Sequence, residues 1–93
     1  MDRMTRPLGN GSYIVDADKV KCDAQGCSGE AMDRLARFEN FYSDLVAGQI
    51  KTVEDMEKLR SEGKTKSVRF RELMVKKMTD SNLIDLLKFY GLE

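Results

Sequence analysis

The chain has 93 residues, 41% of them apolar and 34% charged, with one proline and no tryptophan. That composition fits one small folded domain and excludes intrinsic disorder. Sixteen basic residues balance sixteen acidic ones and histidine is absent, which removes the Ser-His-Asp triad, His-rich zinc sites and the usual pH switch.

Residues 1–12 hold Pro7, Gly9, Asn10 and Gly11 and read as an irregular or hairpin-like lead-in. Ser12 to Val15 has strand chemistry, Asp16-Ala-Asp18 is turn-like, and Lys19 to Cys22 alternates. Together they predict one short hairpin over 12–22, which is marginal in water without a helix or a staple to hold it. A first helix is predicted from Gly29 to Ala47, burying Ala31, Leu35, Phe38, Tyr42 and Leu45, with Gly48 as its stop. Thr52-Val-Glu-Asp55 resembles a capping box and predicts a second helix closed by Gly63, with Val53, Met56 and Leu59 apolar. Thr65 or Ser67 caps a third through Met78, burying Phe70, Leu73, Met74 and Met78. Thr79 or Asp80 caps a short fourth, with Leu83, Leu86 and Leu87 inward, Gly91 as its stop, and Phe89 and Tyr90 closing the core. The expected fold is therefore mainly α, a compact bundle of about four helices after a short β-hairpin segment. It is one domain, with residues 1–28 as cap and 29–93 as bundle. The six methionines read as adaptable core filler rather than as a binding surface.

No apolar run exceeds three residues, as at Leu73–Val75, against the roughly 20 that a membrane helix needs. Asp2, Arg3 and Arg6 have no apolar stretch behind them, so no secretory signal is expected and the chain is placed in the cytoplasm.

Cys22 and Cys27 flank Asp-Ala-Gln-Gly and admit three readings: unlinked thiols, a disulfide, or half of a zinc site. A reducing compartment counts against the disulfide. Cysteines at this spacing with a glycine between them suit zinc, and only carboxylates remain to complete the set. Asp16, Asp18, Asp23 and Glu30 are nearest, Asp16 and Asp23 being the candidates taken forward. The hairpin's need for a staple tilts the reading toward structural zinc.

No phosphate-cradling glycine loop or nucleophile elbow is present, and Glu54, Asp55 and Glu57 read as a solvated face, so no enzyme is expected. The charges are sorted along the chain. Residues 28–62 hold five basic and eight acidic residues, and residues 63–93 hold seven basic and four acidic ones. The basic block Lys64, Lys66, Arg69 and Arg71 offers a surface for nucleic acid or an acidic protein, although direct nucleic-acid binding is not expected of a neutral chain.

Gly29-Glu-Ala-Met-Asp-Arg-Leu-Ala-Arg-Phe-Glu-Asn40, Gly63-Lys-Thr-Lys-Ser-Val-Arg-Phe-Arg-Glu-Leu-Met74 and the ending Lys88-Phe-Tyr-Gly-Leu92 resemble small prophage proteins of Gram-positive bacteria. The resemblance covers roughly residues 12–92. Some such proteins are anti-CRISPR inhibitors of the type II effector nuclease, and an N-terminal zinc site would suit a zinc-bound inhibitor of that kind. The resemblance implies a stoichiometric inhibitor that grips a lobe of the host's nuclease and blocks target DNA loading. With 16 acids among 93 residues the chain is a poor DNA mimic, since duplex DNA carries one charge per roughly 1.7 Å. The acidic residues Glu54, Asp55, Glu57 and Glu62 are the expected contact, because a lobe that holds nucleic acid is basic. The alternatives are a phage DNA-associated accessory protein using Lys64, Lys66, Arg69 and Arg71, or a phage structural interaction module.

Overall fold

A computed structural model describes residues 1–93. Its elements in chain order are β1 (Thr5–Pro7), β2 (Tyr13–Val15), a 3-10 turn (Ala17–Lys19), β3 (Lys21–Asp23), β4 (Gly26–Ser28), α1 (Glu30–Ser61) and α2 (Val68–Phe89). The chain divides into two compact units, Met1–Asn40 and Phe41–Glu93.

In the first unit each strand pairs with its sequence neighbour across a short turn, antiparallel, giving two separate two-stranded sheets. The β1–β2 register puts Thr5 opposite Val15 and Pro7 opposite Tyr13. Asn10 Oδ1 accepts from Ser12 N at 3.0 Å and Leu8 N donates to Ser12 O at 2.9 Å, closing the loop between them. The expected 12–22 hairpin is thus replaced by two hairpins. Segment 13–15 turns back onto 5–7, while Asp16 begins a helical turn in which its carbonyl accepts from Lys19 N at 2.9 Å. In the second hairpin the carboxylate of Asp23 accepts from Gln25 N at 2.8 Å, an Asx turn that needs no longer loop.

Gly29 joins this segment to α1. Its φ is +121°, a conformation that side chains rarely adopt, and a Cβ there would lie 2.6 Å from the Lys19 carbonyl oxygen. Gly29 O then accepts the first helical bond, from Asp33 N at 2.9 Å. Lys19 Nζ reaches the first residue of the helix and donates to Glu30 at 3.0 Å.

In the second unit the expected bundle of about four helices is corrected to two. Both expected breaks lie inside helices. Gly48 continues α1, and Thr52, rather than capping a new helix, is buried and donates its hydroxyl to Gly48 O at 2.8 Å within the same helix. The run Thr79-Asp80-Ser81 likewise continues α2, its side chains turned to other uses. Asp80 accepts from Lys76 Nζ at 2.6 Å and Ser81 Oγ accepts from Gln49 Nε2 of α1 at 2.8 Å. The expected stops at Gly63 and Gly91 do end helices. Gly63 takes φ +70°, its N–H donates to Arg60 O at 3.1 Å and Lys64 N to Leu59 O at 2.8 Å, a Schellman pattern that satisfies the last carbonyls of α1. Gly91 and Leu92 repeat it on Lys88 and Leu87 at 2.9 and 2.8 Å. Ser67 caps α2, its hydroxyl accepting from Phe70 N at 3.1 Å.

The core of this hairpin of helices is Met56, Phe70 and Leu73, with Leu59 against it, and Leu45 is buried further along α1. Two helices cover only one face of each other. Residues expected inside a bundle therefore lie outside, among them Met74, Met78, Leu83, Leu86, Phe89 and Tyr90.

Candidate functional site

The β3–β4 register sets Cys22 directly opposite Cys27, with their Cα atoms 4.0 Å apart, and the two sulfurs are joined in a disulfide. In this state the pair offers zinc no ligand. A metal needs the thiolates, and a sulfur bonded to sulfur is not one. The carboxylates proposed to complete the set are engaged elsewhere. Asp16 accepts from Arg6 Nη2 at 2.6 Å and Nε at 3.0 Å, and Asp23 closes its own turn. No group of three or more Cys, Asp or Glu side chains gathers anywhere in a way that would hold a metal ion. Lys19, between Glu30 and Asp18, has its ammonium pKa raised, chiefly by the hydrogen bond to Glu30 and then by that carboxylate's charge.

The four acids expected to meet a partner are for the most part already paired within the chain. Asp55 takes Lys51 at 3.3 Å, Glu57 takes Arg60, and Glu62 takes Lys64 at 3.0 Å, leaving Glu54 without a partner. The Lys64 contact holds the carboxyl of Glu62 below the ordinary carboxylate value of 4.5. The four cations divide evenly. Lys64 faces Glu62, Arg69 faces Glu72 at 3.8 Å, and Lys66 and Arg71 make no ion pair. Lys77, part of the same basic run, makes none either.

Two apolar surfaces of the helical unit stand out instead. The first is a groove of about 490 Å³ between α1 and α2, lined by Met56, Phe70, Met74 and Met78 with Arg60 and Lys77 on its sides. The second lies on α2 alone, a shallow depression bounded by Val68, Arg71, Glu72 and Val75. Seven residues separate Val68 from Val75 and eleven separate Val75 from Leu86, close to two and three turns. The three therefore share one line on α2, opposite the buried Phe70, Leu73 and Asp80, and Val75 is 65% exposed. Both surfaces were within reach of the sequence. The spacing of Val68, Val75 and Leu86 is a periodic signal separate from that of Phe70 and Leu73, but with four short helices in view it merged into one wide core stripe.

No helix is long and apolar enough to cross a membrane. Compared with known protein families, with curated proteins and with solved structures, the chain matches none.

Proposed function

We propose that the chain is a non-enzymatic protein-binding module, and that it captures an acidic amphipathic helix on the face of α2 that carries Val68, Val75 and Leu86. The observation that supports this most is the line of exposed apolar side chains on a helix whose opposite face already fills the core. Isolated apolar side chains are ordinary on a protein surface, but a periodic stripe flanked by free cations is the form in which a helix is recognised. Arg71 lies within the stripe and Lys66 precedes the helix, both without an acid of their own, so the occupant's complementary charge is negative. This moves the favoured contact from the acids Glu54, Asp55, Glu57 and Glu62 to α2. Phosphate binding is the weaker use of the same cations, because Lys64 and Arg69 already face carboxylates and the apolar stripe contributes nothing to a phosphate backbone.

Inhibition of a type II effector nuclease, with the chain acting in the cytoplasm, is the narrower form of this reading. Its test is a titration of purified effector with the wild-type chain and with Val75→Asp. Loss of cleavage near equimolar chain, abolished by Val75→Asp, supports it. Inhibition that survives Val75→Asp moves the contact off α2. Undiminished cleavage removes the nuclease as partner, and fluorescence anisotropy with a synthetic acidic amphipathic peptide then decides whether the face binds such helices at all. Alkylation trapping of Cys22 and Cys27 in intact cells checks the compartment, since an exposed disulfide persists in oxidising surroundings and is reduced in the cytosol.

A further inference from the structure

We propose that the chain pairs with a second copy of itself through the methionine groove, the side of the helical hairpin that carries Val46, Ile50 and Val53 on α1 and Met74 and Met78 on α2. This goes beyond partner capture and uses the groove side of α2, which adjoins the Val68–Val75–Leu86 line. Helix geometry places the residues. Val46, Val53 and Arg60 are each seven apart on α1 and so run along one line, and Ile50 sits one turn from both valines. Arg60 lines the groove together with Met74 and Met78 of α2, so the line through Val46 and Val53 borders the same side. Ile50, Met74 and Met78 are all exposed, Met78 at 63%.

Two observations select a copy of this chain as the occupant. The first is the poverty of the core. The unit Phe41–Glu93 buries only Leu45, Met56, Phe70 and Leu73 among its apolar side chains and holds no disulfide. Domains of this size ordinarily need a staple, a metal or association to stand. Laying two helical hairpins face to face gives each the apolar cover that neither has alone, the arrangement of a bundle built from two chains. A stable interface takes about 800 Å² from each partner, a modest part of the chain's 7538 Å² surface.

The second observation is charge. On α1 Arg60, on the apolar line itself, already takes Glu57, so the uncompensated charge there is Glu54, one turn from Ile50, whereas on α2 Met74 and Met78 flank Lys77. Glu54 and Lys77 both lack an ion-pair partner within the chain. A two-fold axis through the groove sets the acidic α1 side of one copy on the basic α2 side of the other and does so twice, because an isologous interface repeats every contact. An unrelated partner would need both charges in the reverse arrangement. A second copy has them by symmetry.

The test is sedimentation equilibrium of the full chain from low micromolar to near-millimolar concentration, with circular dichroism of the same samples. The expected result is a mass rising to twice 10.6 kDa and a thermal midpoint that rises with concentration. Met78→Glu is expected to hold the mass at one chain, while Val68→Glu, ten residues away at the start of α2 and outside the groove, leaves it doubled. A helical wild-type chain that stays at one-chain mass, with a midpoint independent of concentration, overturns the proposal. So does a Met78→Glu chain that doubles as wild type does. The concentration dependence of the wild-type midpoint needs no variant to fold.

Discussion

The two units are held together by different physics. In Met1–Asn40 no residue is fully buried, and order comes from short polar and covalent ties: the Cys22–Cys27 bond, the Arg6–Asp16 and Lys19–Glu30 pairs, and the close approach of Gly29 to Lys19. In Phe41–Glu93 the ties are two long helices and a small apolar cluster. Ties of the first kind act locally and one at a time, since exposed ion pairs contribute little and a disulfide in a short loop constrains only that loop. An apolar core acts through every residue that shares it. A short segment can thus be ordered without a core, whereas a helical hairpin with four buried apolar side chains stands or falls with each of them.

The largest effect that tests this contrast is Leu73→Ala. Leu73 is 3% exposed, the least accessible member of the core, and Leu→Ala at a buried site costs about 2–5 kcal/mol. In a core this small the expected outcome is loss of most of the helical circular dichroism well below the wild-type midpoint. A Leu73→Ala chain that melts as wild type does would show that the core is not what holds the helices. Reduction of Cys22–Cys27 probes the other unit. The chain-entropy relation for so short a loop gives about 2 kcal/mol, and the expected reading is loss of amide protection confined to Lys21–Ser28. A reduced chain that keeps that protection would mean that the Asp23 turn and the strand pairing suffice.

What the sequence revealed divides along the same line. Helix ends set by local chemistry were legible: the start at Gly29, the cap at Ser67, and the stops at Gly63 and Gly91. So were the core positions Leu45, Met56, Leu59, Phe70 and Leu73. The features misread all depend on what lies across from them. Thr52 reads as a cap because Thr-x-x-Asp has that pattern, and whether its hydroxyl turns forward to cap or back to Gly48 depends on the helix already being there. Asp80 and Ser81 read as a break until Lys76 and Gln49 are seen to meet them. Strands of three residues carry no periodicity, so their pairing, and with it the meeting of Cys22 and Cys27, could not be read in advance. The methionines looked like core because helical spacing says which residues share a side, not whether anything covers it.

Gly48→Ala sharpens the first of these corrections, because the two readings of Gly48 predict opposite signs. As a helix stop, Gly48 replaced by Ala would destabilise. Inside α1 it has ordinary helical backbone, and an added Cβ would rest 3.7 Å from Lys76 Nζ, a normal contact. Alanine is favoured over glycine in a helix interior by about 1 kcal/mol, so the expected outcome is a rise in the denaturation midpoint corresponding to up to about 1 kcal/mol.

The smallest effect separates exposed pairs from the core most finely. Glu62 stands at the end of α1, where Lys64 holds its carboxyl below 4.5 by a hydrogen bond and by charge. A carboxyl depressed in the folded state adds stability above its unfolded value, and that contribution is lost as pH falls through the folded value. The linkage therefore acts only in the acid range below the ordinary carboxylate value, and it weakens with added salt because the pair is exposed. In an NMR titration the Glu62 carboxyl should turn over below 4.5, and Lys64→Ala should return it toward that value. The midpoint of thermal unfolding near neutral pH should barely move in the same variant, because solvent and salt screen an exposed pair. If Lys64→Ala instead lowered that midpoint as Leu73→Ala is expected to, the turn between the helices would carry as much of the fold as the core, and the division between local ties and shared packing would fail within the helical unit itself.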